Sequence, residues 1–239
     1  MKSALRYTLT IDLLEAQRNN IMSNPITTYW TLRLAELKLA LEKNNFDVFM
    51  ADTVEDAKNV FEQEILPSLE GAQTISFGGS LTLSETGIVE SVRENDALEV
   101  IDTFDKTLPA DEKHELRRKA LLADVFLTGT NAVTECGKLV NLDMIGNRVA
   151  ALNFGPKHVV LFISRNKLVE TVDDAMFRIK DYAAPVNTMR LDMKTPCKKT
   201  GHCMDCSSPQ RICNIWTITE KSFPAKRIKI VLINEDAGF

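Results

Sequence analysis

Between residues 46 and 233, short apolar runs rich in β-branched residues alternate with longer amphipathic stretches. That rhythm is the strongest constraint on the fold. Strands that alternate with helices pair in parallel and need helices on both faces of their sheet. The strands read as Phe46–Met50, Thr74–Phe77, Leu98–Ile101, Asp124–Thr128, His158–Ile163 and Arg227–Ile233, with a short one within Arg211–Thr219. The helices read as Val54–Leu69, Leu81–Glu94, Asp111–Leu122 and Thr171–Tyr182. Leu139–Leu142 and Arg148–Asn153 read as a pair of strands joined at the turn signal Gly146-Asn147. Residues 1–45 read as a helical N-terminal extension in which Pro25 separates two helices and Trp30, Leu32, Leu34, Leu37, Leu39 and Leu41 give an apolar side. The expected organisation is this extension followed by one α/β domain over residues 46–239.

The chain has 239 residues, 44% of them hydrophobic, enough for one large core. Its formal charge is −4 and its pI about 5.5. A general nucleic-acid binder carries a basic excess, so nucleic acid is not an expected partner. The chain lacks a run of about 18 apolar residues, so no membrane span is expected. The N-terminus, Met1-Lys2-Ser3-Ala4-Leu5-Arg6, lacks the apolar stretch of a signal peptide. The expected location is the cytoplasm, where close cysteines favour metal or redox chemistry over structural disulfides.

Four of the five cysteines, Cys197, Cys203, Cys206 and Cys213, fall in the loop 196–214 with the spacing C-x5-C-x2-C-x6-C. Thiolate is the metal-binding form of cysteine, and four soft ligands can close around one metal ion or one iron–sulfur cluster. A [4Fe–4S] cluster would take all four thiolates. Zinc would take four sulfurs, or three with a nitrogen from His202. A disulfide or switchable thiol set is the remaining reading. The fifth, Cys136, lies far away in sequence.

Three further motifs can carry chemistry. In Ser76-Phe77-Gly78-Gly79-Ser80-Leu81-Thr82, two glycines after a strand let the backbone approach a ligand, and Ser80 can cap a helix whose free N–H groups favour an anion. The run is neither a Walker A loop nor a dinucleotide fingerprint, so neither ATP nor NAD follows from it. Thr128-Gly129-Thr130-Asn131, continued by Thr134-Glu135-Cys136, gathers hydroxyls, an amide and a carboxylate past a strand end. There Glu135 is a candidate general base or nucleophile. Asn147 and Arg148 follow a turn, and Arg148 can clamp a carboxylate or phosphate through paired donors. The candidate ligand-binding set is thus Gly78, Gly79, Ser80, Thr82, Thr130, Asn131, Asn147 and Arg148.

At these motifs the sequence resembles the LUD-domain proteins, the lactate-utilisation LutC/YkgG-like family. The resemblance rests on Ser76–Ser80, Ala123–Gly137, Leu139–Asp143 and Gly146–Leu152, with Pro185-Val186-Asn187 and the cysteine loop resembling a subgroup. It implies a fold similar to the NagB/RpiA/CoA-transferase superfamily, a Rossmann-like three-layer α/β sandwich. It also implies a role in oxidation of lactate or a related 2-hydroxyacid, beside iron–sulfur oxidoreductase subunits. The cysteine loop and Cys136 depart from simple LutC-like proteins and favour a redox-associated variant.

Three functions follow as expectations. The first is a subunit or accessory of 2-hydroxyacid oxidation that binds a small anionic metabolite or phosphate-containing ligand, with a [4Fe–4S] cluster in the loop. The second is a CoA-transferase- or isomerase-like enzyme using Glu135, with a structural zinc. The third is a non-catalytic module sensing a metabolite or redox state. The apolar N-terminal helices can pack on the domain or on a second copy as a homodimer.

Overall fold

A computed structural model describes residues 24–239. The first of the two expected N-terminal helices lies outside the described residues. The second, α1 (Pro25–Lys43), starts with Asn24 as cap, its side chain accepting from the Ile26 amide, and with Pro25 where a missing N–H is harmless. Leu34, Leu37 and Leu41 recur on one helix face and are all buried, whereas Leu32 and Leu39, expected on the apolar side, fall off that face and are exposed.

The alternation then unfolds as expected, with β1 (Asp47–Ala51), α2 (Val54–Val60), β2 (Thr74–Phe77), α3 (Leu81–Glu85), α4 (Ile88–Arg93), β3 (Glu99–Ile101), α5 (Ala110–Lys119) and β4 (Val125–Thr128). Thr53 and Asp56 form a reciprocal capping box that starts α2. That helix runs on through a π turn, Phe61–Ile65, to Ser68. The expected helix Leu81–Glu94 is divided at Gly87 into α3 and α4. Next come β5 (Ala132–Thr134), β6 (Leu139–Asp143), α6 (Asn147–Asn153), β7 (His158–Ser164), β8 (Leu168–Val169) and α7 (Val172–Arg178). A second π turn, Ile179–Ala183, leads into α8 (Ala184–Arg190), so this helix extends well past Tyr182. The chain closes with α9 (Cys197–Thr200), β9 (Ile215–Thr219) and β10 (Ile228–Ile233).

Six strands in the order β1-β10-β7-β4-β2-β3 form a sheet in which every pairing is parallel. Successive side chains of β7 and β10 serve opposite faces. Val160, Phe162, Val231 and Ile233 pack with Phe61, Ile65 and Leu83 of the helices on one side. Val159, Leu161, Ile230 and Leu232 pack with Leu34, Leu37 and Leu41 of α1, and with Val133 and Leu139, on the other. Both faces of the sheet are therefore covered, as the near-continuous apolar strands require. The architecture is the expected α/β sandwich of Rossmann type. A second sheet, β8-β5-β6-β9, mixes parallel and antiparallel pairs. Its Ala132, Val140 and Leu142 pack against Ala175 and Ile179 of the α7 segment.

Arg148–Asn153 is helix α6, which corrects the expected strand. β6 pairs instead with β9, setting Asn141 opposite Thr217. Gly146 turns the chain at φ +88°, a conformation that favours glycine, and Asp143 Oδ2 accepts the Val149 amide at 3.1 Å. Helical winding buries Arg148, Val149, Ala151 and Leu152 together. A strand would have sent alternate members of that run to opposite faces.

The chain crosses from the parallel sheet to the second one at Gly129. A Cβ there would stand 2.5 Å from Ser80 Oγ and 3.2 Å from the Phe162 carbonyl oxygen. Only glycine lets the β4 exit pass this close to the β2 loop and β7.

Because α1 contributes directly to the core, Leu37→Ala should cost about 2–5 kcal/mol, comparable to Leu161→Ala in the central strand. Chemical denaturation of both variants measures this. A change below about 0.5 kcal/mol for Leu37→Ala would show that α1 is dispensable to the domain.

Candidate functional site

The loops leaving β2, β4 and β7 meet at the carboxyl edge of the parallel sheet, where folds of this class hold ligands. Gly79 and Ser80 follow β2, Gly129–Asn131 follow β4, and Lys167 follows β7. With Arg148, Asn187 and Arg190 they line a recess of about 70 Å³. An adjoining cleft of about 520 Å³ shares Gly79, Asn131, Arg148, Asn187 and Arg190. Asn147, His114, Arg117 and the apolar Phe104, Met144, Ile145, Leu191 and Ile212 also line the cleft. Its volume is of the size that holds an organic ligand.

The structure brings most of the expected ligand set to this place and gives several members a supporting role. Ser80 caps α3, its Oγ accepting the Leu83 amide at 3.2 Å, but that helix has five residues and so adds little dipole. Gly78 prolongs the sheet ladder by donating to Leu127 O at 2.9 Å. Thr130 lines the recess and shares its hydroxyl between Ala132 O and Val140 O. Thr82 is buried behind the wall.

Arg148 is inside the protein, and its guanidinium is largely consumed there. Nη1 donates to Gly129 O at 3.2 Å and to Asn141 Oδ1. Nη2 donates to Asn131 Oδ1 at 2.9 Å and to Leu142 O at 3.2 Å. Four acceptors leave few N–H groups for a ligand. Arg148 therefore holds Asn131 and the β4 exit in position, and contributes charge more than contacts. Burial lowers its pKa, with Asp143 opposing.

Three cations in this region were not legible as site residues. Lys167, 4% exposed, donates Nζ to Thr82 Oγ1 at 2.6 Å. Burial, then Arg178 and Arg148, push its pKa down to about 7, against a small opposing pull from Glu85. Arg178 donates to Asn131 O at 2.9 Å and Asn166 O at 3.2 Å, and its pKa is lowered by burial. Arg190 stands at the rim, its fork bonded to Asn187 Oδ1 at 2.8 and 3.0 Å. Asp143, 3.9 Å from Arg148, is the one carboxylate ion-paired with this group of four among the described residues. Positive charge is in excess at a partly dehydrated place, which an anionic ligand would offset. The signal available in the sequence was position. Lys167 follows the carboxyl end of β7, and Asn187 and Arg190 lie one helical turn apart.

Glu135 is elsewhere. It sits in the β5–β6 turn, exposed, in an ion pair with Arg33 of α1, and does not line the recess or the cleft. Cys136 is exposed beside it, its Sγ 3.2 Å from Thr134 Oγ1.

The cysteine loop forms a second feature. Cys197, Cys203, Cys206 and Cys213 are free thiols, all half-buried, and all four line one small recess with Ala184, Pro185, Met204 and Ile212. Thr195 and Thr188 hydroxyls lie 3.3 and 3.5 Å from Cys197 Sγ. The Asp205 amide donates to Cys203 Sγ at 3.4 Å, and Lys180 Nζ is 3.9 Å from Cys213 Sγ. Arg211 ties the loop by donating to Cys206 O and Cys213 O and pairing with Asp205. His202 is turned to Thr200 O at 3.1 Å and does not line the recess. Among the described residues, no three His, Cys, Asp or Glu side chains converge as the ligands of one metal ion, so a metal centre is not evident in the geometry. No helix among them is long and apolar enough to cross a membrane.

A family model described as the LUD domain matches residues 34–233. Among solved structures, a DUF162 family protein from Deinococcus radiodurans aligns with 12% identity and a TM-score of 0.46, over 85% of this chain and 98% of that one. The eIF2B delta protein from Chaetomium thermophilum aligns with 15% identity and a TM-score of 0.33, over 75% of this chain and 57% of that one. No curated protein sequence matches significantly.

The depressed Lys167 pKa has a signed consequence. Between about pH 7 and the ordinary lysine value of about 10.4, the unfolded chain holds a proton that the folded chain lacks. Stability from this group therefore rises with pH across that window. Lys167→Met removes the penalty, so the variant should gain on the native protein by more than about 1 kcal/mol on going from pH 10 to pH 7. Urea denaturation at both values measures it. A pH-independent difference would show that Lys167 titrates normally.

Proposed function

This chain belongs to the LUD-domain family of lactate-utilisation-type proteins, and from that membership we propose that it serves oxidation of a 2-hydroxyacid. In this reading the recess at the carboxyl edge of the sheet holds a small carboxylate- or phosphate-bearing metabolite, and the cysteine loop holds an iron–sulfur cluster. The observation that carries the reading is the recess lined by Arg148, Lys167 and Arg190, among which Arg148 alone has a carboxylate ion-pair partner, Asp143, among the described residues. Burying positive charge without a partner is costly, and a bound anion removes that cost.

The chain's own residues divide the work. Arg190, positioned by Asn187, presents a planar fork suited to a carboxylate or phosphate. Arg148 keeps Asn131 at the wall. The apolar side of the cleft excludes water from whatever part of the ligand extends beyond the recess.

The four free thiols around one recess, with an amide donor on Cys203 and an ammonium donor on Cys213, fit a thiolate-bound group. Tetrahedral zinc, with Zn–S of about 2.3 Å, would draw the sulfurs to roughly 3.8 Å of one another. A [4Fe–4S] cluster would take one thiolate from each of Cys197, Cys203, Cys206 and Cys213, the four that line this recess. When bound, a cluster supplies one-electron transfer. Ala184 and Ile212 line both the cysteine recess and the cleft. That shared wall would place an electron carrier one residue away from a metabolite. Iron–sulfur oxidoreductase subunits are the proposed electron partners, and the cytoplasm the proposed location.

Anaerobic purification, an absorption spectrum, and iron, sulfide and zinc analysis test the cluster. Broad absorption near about 400 nm with matched iron and sulfide, lost in Cys203→Ser/Cys206→Ser, is expected. Stoichiometric zinc in a colourless protein would overturn it.

A further inference from the structure

We propose that Lys167 is a nucleophilic amine that forms an imine with the carbonyl group of an anionic ligand, a 2-oxo acid or a phosphorylated aldehyde or ketone. The proposal rests on the anion-binding reading of the recess and adds a reacting residue and a substrate class to it.

The geometry has three parts. First, Lys167 is almost fully buried, yet it lines the recess. Second, its Nζ is fixed from behind. Thr82 Oγ1 accepts from Nζ at 2.6 Å and itself donates to Ala237 O at 3.0 Å. Thr82 thus spends its proton elsewhere and acts on the amine as an acceptor, which leaves the nitrogen lone pair of a neutral amine free for the recess. Third, the surrounding charges disfavour an ammonium. Arg148 from α6 and Arg178 from α7 oppose it, and Glu85 at the end of α3, which accepts the Gly238 amide at 2.9 Å, is the carboxylate that favours it. A surface lysine is protonated near neutral pH and has no lone pair to offer, whereas Lys167 is poised to lose its proton at about pH 7. Arg190 on the same recess is bonded to Asn187 and carries its charge without a paired carboxylate among the described residues. It can seat the ligand's anionic group while the carbonyl carbon faces the amine.

The step balances without an outside oxidant. The Nζ lone pair adds to the carbonyl carbon, the C=O π pair moves to oxygen, and that oxygen takes a proton from the attacking nitrogen. The carbinolamine then expels its hydroxyl as water with a second proton from the nitrogen, giving C=N and H₂O. The imine, once protonated, draws electrons from the neighbouring carbon and so acidifies its C–H bond. That is chemistry the free carbonyl compound performs far more slowly at neutral pH.

The test treats the full-length protein with pyruvate, and separately with glyceraldehyde 3-phosphate, in the presence of cyanoborohydride, followed by peptide mapping by mass spectrometry. Reduced adduct at Lys167 should exceed that at any exposed lysine by at least about tenfold at pH 7, because the neutral fraction differs by more than one pKa unit. The preference for one compound over the other distinguishes carboxylate from phosphate as the seated group. Lys167→Arg should lose this adduct and keep the background labelling of other lysines. Mapping of the native chain decides the matter even if that variant fails to fold. Thermal stabilisation by pyruvate or inorganic phosphate is measured alongside at constant ionic strength. Stabilisation without adduct at Lys167, or labelling spread evenly over surface lysines, would overturn the imine and leave anion binding standing. Neither stabilisation nor adduct would overturn both.

Discussion

Arg148 lies between the two sheets with its guanidinium divided among four acceptors: Gly129 O at the crossing point, Asn131 and Asn141 side chains, and Leu142 O. A guanidinium keeps its proton in any protein environment, so this arrangement installs a permanent positive charge at the carboxyl edge of the sheet. Asp143, 3.9 Å away, compensates it in part. Burial, then Arg178 and Arg148, drive Lys167 towards its neutral form. Arg178 donates to the carbonyl oxygens of Asn131 and Asn166 and lies over the Tyr182 ring. Arg190 is left at the rim with only an amide as partner. The recess is consequently shaped by charge as much as by volume, and the natural complement is an anion.

The parallel sheet was legible because its strands are short, apolar and separated by helical periods, and the structure keeps all six of them. The failure at Arg148–Asn153 has a physical cause. Val149, Ala150 and Ala151 satisfy both a buried strand and a buried helix over so short a run, and an intervening glycine suggested a hairpin. The deciding contacts are tertiary: the Asp143 carboxylate on the Val149 amide and the Arg148 side chain reaching back to β4. Gly79, Ser80, Thr130, Asn131, Asn147 and Arg148 could be gathered from motifs because they follow strand ends or turns. Lys167, Arg178 and Arg190 could not. In sequence each looks like a solvated charge beside a turn or a helix end, and only packing shows that the first two are enclosed. Glu135 closes a motif rich in polar residues, but β5 and β6 carry it away from the recess to meet Arg33.

The cysteine loop and the metabolite recess are linked by the segment Ile179–Arg190. Its Lys180, Pro185 and Thr188 face the thiols, while Ala183, Asn187 and Arg190 face the cleft. The π turn within it lets Pro185 enter a helical stretch without breaking the run. One rigid element thus carries side chains of both features, so a group bound by the thiols would bear directly on the position of Asn187 and Arg190.

The claim that excess positive charge around the recess defines the site is tested most directly by NMR titration of protein labelled at the lysine Cε carbons, with Lys167→Arg used to assign the resonance. The account predicts that Lys167 titrates near about pH 7 in the free protein, and that inorganic phosphate moves the midpoint upward by supplying the missing counter-charge. A midpoint at the ordinary lysine value of about 10.4, unmoved by phosphate, would contradict it.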